Sequence, residues 1–256
     1  MSKIALITGG SSGLGLEMVK NLGKKGYSCI IIARNKERLE QAVADAKSHG
    51  CHAVGFQCDI NDEKALNAVY KEIKEKFRKV DFLILNAGVV TCKLLSDFEN
   101  TAELKHDLQI NLWGTILSAY TFLPLLKGGS RILMVSSAFG LMGPAGYSVY
   151  AASKAGIINF ADSLRRELIN KKISVHVACP ADIDTPQLHK EHENMPDWIK
   201  QGDPRAKAMP ADIAADKILT KCFQNKFMII ISFEIFSLIM LIKFLPVALK
   251  NSILDK

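Results

Sequence analysis

Short runs of apolar, often β-branched residues alternate along the chain with longer stretches in which apolar positions recur every three to four residues. The runs are Ile4–Ile7, Cys29–Ala33, Ala53–Cys58, Phe82–Leu85, Arg131–Val135 and Ser174–Ala178, and Phe227–Ile231 reads as a last strand. The helical stretches are Leu14–Lys25, Lys36–His49, Asp62–Phe77, Thr101–Leu126, Val149–Asn170 and Pro210–Cys222. This alternation predicts a doubly wound α/β fold, with a parallel sheet of about seven strands covered by helices. The strands read as continuous apolar runs, as expected of strands buried on both faces. No linker, low-complexity tract or internal repeat interrupts the pattern, so one domain is expected over residues 1–231, followed by a hydrophobic tail over 232–256.

The first strand ends in a glycine cluster, Thr8-Gly9-Gly10-Ser11-Ser12-Gly13-Leu14-Gly15, from which a helix starts. Such a turn aims free backbone N–H groups and the positive end of a helix dipole at one spot, which suits a pyrophosphate. Side chains there would block the phosphates, so glycine is required. The spacing is G-x-x-x-G-x-G, a variant of the commoner dinucleotide fingerprint. The second strand ends in Ala33-Arg34-Asn35 instead of the acidic residue expected at an NAD site. Arg34 can pair with a 2′-phosphate, and NADPH is therefore expected over NADH.

Tyr150 and Lys154 lie four apart in a helical stretch and share a face. A free tyrosine has a pKa near ~10, and an adjacent ammonium stabilises its phenolate, which predicts a general acid poised nearer neutrality. Thirteen residues before Tyr150, at the end of the strand RILMVSS, stands Ser137, with Ser136 as the neighbouring alternative; INLWG supplies Asn111. With these motifs in order, the chain resembles the short-chain dehydrogenase/reductase family over roughly residues 3–225. The resemblance implies a Rossmann-type domain whose catalytic residues are Asn111, Ser137, Tyr150 and Lys154. Tyr150 would protonate a carbonyl oxygen and Ser137 would hydrogen-bond it. Lys154 would hold the nicotinamide ribose and lower the tyrosine pKa, and Asn111 would steady a water beside the lysine. The resemblance also assigns the cofactor contacts: Gly9, Ser11, Ser12, Gly13, Leu14 and Gly15 in the glycine turn, Arg34, Asp59 and Ile60 near the adenosine, Asn86-Ala87-Gly88 beside its ribose, Tyr150 and Lys154, and Pro180, Ile183 and Thr185 at the nicotinamide. Tyr147 is expected to line the pocket.

The chain departs from the family pattern at Leu85, and after Pro180, where Ala181 replaces the usual glycine. The run Pro180-Ala-Asp182-Ile-Asp184-Thr185-Pro186-Gln187-Leu188 is similar to that of the 3-ketodihydrosphingosine reductase subgroup. That likeness implies NADPH-dependent reduction of 3-ketosphinganine to sphinganine, under a substrate lid over about 186–209. Other apolar ketones (steroid, retinoid or 3-oxoacyl) are the alternative substrates, and a non-catalytic NADP(H) sensor is the alternative of another class. His189 and His192 stand i, i+3, but no ligand cluster accompanies them, and no metal is expected.

The formal charge of +7 comes without a basic helix interleaved with aromatics, which argues against nucleic acid. YKEIKEKFRK reads as the solvated face of an amphipathic helix. The six cysteines are scattered without a C-x-x-C pair, which fits a reducing, cytoplasmic setting. With the first strand starting at the third or fourth residue, no signal peptide is expected. From Glu234 to Leu249 almost every residue is apolar, yet the uninterrupted run Ile235–Ile242 falls short of the ~20 residues that cross a bilayer. With Lys243, Lys250 and Lys256 alongside, the tail is expected to lie in a lipid interface at the cytoplasmic face of a membrane, or to be buried between subunits. The resemblance implies a homo-oligomer, a dimer or tetramer.

Overall fold

Along strand β1 (Lys3–Thr8), Ile4 and Leu6 enter the hydrophobic cluster on one face of a sheet, and Ala5 and Ile7 enter the cluster on the other. All four are buried, so the uninterrupted apolar run is the signature of a strand covered twice. The structure is a computed structural model that describes residues 2–197, 199–200 and 208–244. Strands β2 (Tyr27–Ala33), β3 (Ala53–Gln57), β4 (Val80–Leu85), β5 (Leu126–Val135), β6 (Ser174–Ala178) and β9 (Met228–Ile229) join β1 in a parallel sheet of seven strands, ordered β3-β2-β1-β4-β5-β6-β9. A two-stranded ribbon, β7 (Ile183–Asp184) with β8 (Met209–Pro210), stands apart.

Helices α1 (Gly13–Lys24), α2 (Lys36–Ser48) and α8 (Ala211–Phe223) cover one face, and α3 (Glu63–Phe77), α5 (Gly114–Phe122) and α6 (Ser148–Glu167) the other. Their N-termini follow from short polar caps: Asn35 accepts from Arg38 N at 2.7 Å, and Asp62 from Ala65 N at 3.0 Å. Fully buried Phe82 and Phe122 lie on opposite faces of the sheet; side chains of this size contribute about 1.5–3 kcal/mol each. The strand order reverses between β1 and β4, and a crevice at the carboxyl ends of those strands is the expected ligand site.

Beyond shifts of one or two residues at element ends, the structure differs from the sequence reading in several places. Thr101–Leu126 is not one helix: α4 (Thr101–Asp107) passes through a π-helical turn, Leu108–Trp113, into α5, and Pro124 sits in a tight turn before β5. β5 therefore begins at Leu126, five residues early, with an irregular register against β4 between Val80 and Phe82. β3 is an edge strand whose middle is exposed, unlike the doubly buried strands. The last strand shrinks to Met228–Ile229. Helix α7 (Pro186–Asn194) opens the expected lid, of which residues 198 and 201–207 lie outside the described residues. Helix α9 (Phe233–Phe244) forms the first part of the tail; residues 245–256, including Lys250 and Lys256, lie outside them too.

Candidate active site

The glycine turn is built so tightly that side chains do not fit. Gly9 has φ +66, and a Cβ there would stand 2.7 Å from Ala87 Cα. At Gly15 a Cβ would meet the Gly9 carbonyl oxygen at 2.4 Å. The Gly9 amide bonds the Ile32 carbonyl at 2.8 Å, so donors facing the crevice come from further round the turn, at the start of α1. Ser12 precedes α1 with no side-chain capping bond, and the first turn carries no acidic residue. The positive end of the helix is left for an anion. Asn86 fastens this turn from β4: its amide donates to the Thr8 and Gly9 carbonyls at 3.3 and 3.1 Å, and its backbone N–H to Thr8 Oγ1 at 3.1 Å. Its side chain thus holds the loop in shape, while Ala87 and Gly88 line the crevice beside it.

Arg34 and Arg38 both line the other end of the cavity around the start of α2, with Asp59 and Ile60 following the neighbouring strand β3. Asp59 accepts from Asn61 N at 2.9 Å, which fixes the turn after β3. Arg38 went unnoticed in the sequence. Its signal was a second arginine in the first turn of α2, three residues after the Asn35 cap.

Asn111 is fully buried in the π-helical turn, a local distortion frequent at functional sites. Its Oδ1 accepts from Val89 N at 2.8 Å, and its Nδ2 donates to the Val89 carbonyl at 2.9 Å and to Ser153 Oγ at 3.0 Å. The amide is therefore engaged with protein, and a hold on water would fall to its main chain. Buried Ser136 donates to the Lys154 carbonyl at 2.8 Å. Ser137, from the next position, reaches Tyr150 as a hydrogen-bond partner. Lys154 is 5 % exposed and donates to the Val135 carbonyl at 3.2 Å. A Cβ on Gly88 would press on Asn111 Oδ1 at 3.1 Å and Lys154 Nζ at 3.2 Å, so this glycine lets the β4 loop pass over the pair.

The expected acidification of the tyrosine does not hold in this structure. Burial pushes the Tyr150 phenol above its ordinary value, and the Ser137 hydrogen bond only partly offsets this. The same burial lowers Lys154 to about 8. Both effects share one cause, since a low-dielectric site disfavours phenolate and ammonium alike.

On the far side, buried Pro180 accepts from Ala138 N at 2.8 Å, joining the β6 loop to the Ser137 segment. Ile183 sits in the ribbon β7, and Thr185 caps α7 by accepting from Leu188 N at 3.3 Å. The Thr185 methyl packs on Gly13, where a Cβ would stand 3.1 Å from it. Tyr147, 4 % exposed, donates to Glu191 on α7 at 2.6 Å and stacks within an aromatic cluster with Phe139 and Tyr150. Glu191 was not picked out from the sequence; its signal was the i+3 spacing from Leu188, the buried residue of α7. His189 rests on Asp184 at 2.6 Å, and no group of three metal-binding side chains forms among the described residues.

The glycine turn, Arg34, Arg38, Ser137, Tyr150, Lys154, Thr185 and Glu191 border one cavity of about 1450 Å³, which runs from the glycine turn past Tyr150 to Ile235 on α9. Asn111 and Tyr147 stand behind this lining; Tyr147, expected to line the pocket, instead turns its hydroxyl to Glu191, which does. A cradle that excludes Cβ atoms, an open helix N-terminus and two arginines at the far end fit a dinucleotide. The fold and site thus define a dinucleotide-dependent oxidoreductase. The short chain dehydrogenase family matches residues 3–196, and the chain belongs to it. It is 34% identical over 203 residues to the 3-oxoacyl-[acyl-carrier-protein] reductase of Homo sapiens, covering 77% of this chain and 84% of that protein. A short chain dehydrogenase from Burkholderia cenocepacia, solved with NADP, superposes with a TM-score of 0.77 at 27% identity, over 90% of this chain and 96% of the other. One from Burkholderia phymatum, solved with NAD, has the same fold at 20% identity and a TM-score of 0.84, over 94% and 93%. The protein is an NAD(P)-dependent oxidoreductase.

Proposed function

We propose that the protein reduces the ketone of a long-chain lipid, 3-ketosphinganine, to the alcohol, with NADPH as reductant. The observation that carries this reading is the single cavity joining the glycine turn, Tyr150 and the apolar helix α9 at Ile235. A ketone next to Tyr150 would then have its chain directed toward an apolar helix. The Pro180–Leu188 run adds the subgroup likeness, while the 3-oxoacyl reductase relative favours a second reading, a 3-oxoacyl thioester.

NADPH, when bound, would supply the hydride for the carbonyl carbon. The chain's own residues do the rest. Tyr150 gives its phenolic proton to the carbonyl oxygen, and Ser137 donates a hydrogen bond to that oxygen as charge develops. Lys154 would hold the ribose hydroxyls with its ammonium, and Asn111 positions the Val89 loop and α6 around that place. Arg34 and Arg38, both at the cavity, would hold a 2′-phosphate, and their presence there supports NADPH over NADH.

Phe233 is 81% exposed and Phe236 and Leu241 are about half so, which supports a tail resting in the interface of a cytoplasm-facing membrane. Among the described residues no helix is long and apolar enough to cross one. Trp113 and Tyr120, two turns apart and exposed on the α5 segment, support pairing with a second copy. The experiment is single-turnover NADPH oxidation with 3-ketosphinganine in detergent micelles, beside a 3-oxoacyl thioester and a steroid ketone. Preference for either of the last two would replace the proposed substrate.

A further inference from the structure

The wall of the cavity beside Tyr150 carries a carboxylate that the reduction itself does not use. Helix α7 starts at the Thr185 cap, and Leu188, 9% exposed, pins it to the body. Glu191 follows one turn later, on the same side. Tyr147 donates to its Oε1 at 2.6 Å. Tyr147 is itself fixed, with its ring centre 4.8 Å from Phe139 and 6.2 Å from Tyr150. The carboxylate is thereby held one aromatic ring away from the proton donor, and both border the cavity.

A carboxylate in such a place is unfavourable by itself. Burial pushes Glu191 up to about 7, and Asp182 and Asp107 push it in the same direction. A cation arriving in the cavity would favour the ionised carboxylate and pair with it, whereas beside a neutral chain the group either keeps its proton or remains a poorly compensated charge.

We propose that Glu191, oriented by Tyr147, is the specificity-determining residue that receives a substrate ammonium beside the ketone, so that amino-ketones are taken in preference to neutral ketones. This rests on the reading of Tyr150 as the acid that protonates the ketone. It also separates the two substrate readings, because a 3-oxoacyl thioester brings no cation next to its ketone.

The test compares kcat/KM for a medium-chain 2-amino-3-ketone with that for the same ketone lacking the amine. Wild type should prefer the amine by about tenfold or more, and the ratio should fall to about one in Glu191→Gln. Glutamine keeps an acceptor for Tyr147 and loses only the charge. Tyr147→Phe should lower the ratio partway, and it carries the comparison should Glu191→Gln not fold. Calorimetric binding of the matching amino-alcohol and plain alcohol to the wild type and Glu191→Gln runs alongside. Equal turnover of both ketones by the wild type overturns the inference and leaves the reductase reading standing. If neither ketone turns over, that reading falls and calorimetry decides: amine-selective binding that needs Glu191 sustains the inference, and equal binding of amine and alcohol overturns it.

Discussion

The Lys154 ammonium stands 5.6 Å from the centre of the Tyr150 ring and donates to the Val135 carbonyl at 3.2 Å. The two side chains are therefore near enough to share one ligand, but the lysine is anchored on β5 and not on the phenol. Burial moves the phenol up and the ammonium down to about 8. At neutral pH both carry their protons, and on raising the pH the lysine is the first to lose its own.

A pH profile follows from this order. Lys154 is charged below about 8 and neutral above it, so kcat/KM for NADPH, which reports the free enzyme, should fall as pH rises through that value. Tyr150 stays protonated across the window and contributes nothing to the fall. Initial rates between about pH 6 and about pH 10 check this; a profile flat to pH ~9 contradicts it.

Removing the Tyr150 hydroxyl should separate chemistry from binding. Tyr150→Phe is expected to lower kcat by about 10²–10⁴ while dinucleotide affinity changes by less than about threefold. Stopped-flow turnover and NADPH fluorescence titration measure the two. Retained turnover would reassign the proton donor.

Arg34→Asp places an acid where a 2′-phosphate is expected. The NADPH/NADH ratio of kcat/KM should drop by about a hundredfold or more, since an attraction becomes a repulsion. Arg38→Ala should move the same ratio less, by about tenfold. Equal use of both cofactors by wild type and Arg34→Asp would refute the arginine assignment.

Two glycine substitutions should behave differently. In Gly15→Ala the new Cβ meets backbone at 2.4 Å, so the cradle must open and NADPH affinity should fall at least about tenfold. Gly26 has φ +81 with nothing within 4 Å, so Gly26→Ala should cost about 1 kcal/mol of stability through backbone strain alone. Its NADPH affinity should match wild type. Urea melts and cofactor titrations on both variants distinguish the cases.

Glu191 makes a stability prediction for the protein without ligand. Its folded pKa, about 7, lies above the ordinary 4.5, so the folded state holds an extra proton between these values. That contribution is fully present below about 4.5 and is lost as pH rises through about 7. Glu191→Gln should therefore be less sensitive than wild type to a rise from about pH 5 to about pH 8, in denaturant melts at each pH.

The sequence by itself determined the sheet, the glycine turn and which residue types stand at the strand ends. These features depend on local periodicity and on short-range steric demands: Ile4 to Ile7 can only be doubly buried, and Gly15 only glycine. Tertiary structure alone decided the rest. The π-helical turn at Asn111 breaks a stretch whose polarity pattern is continuous, because the Val89 and Ser153 contacts that hold it come from distant segments. The Tyr147–Glu191 bond spans 44 residues, and no spacing rule reaches that far. The protonation of Tyr150 and Lys154 is set by how much water the packed site excludes, and a four-residue spacing carries no measure of burial.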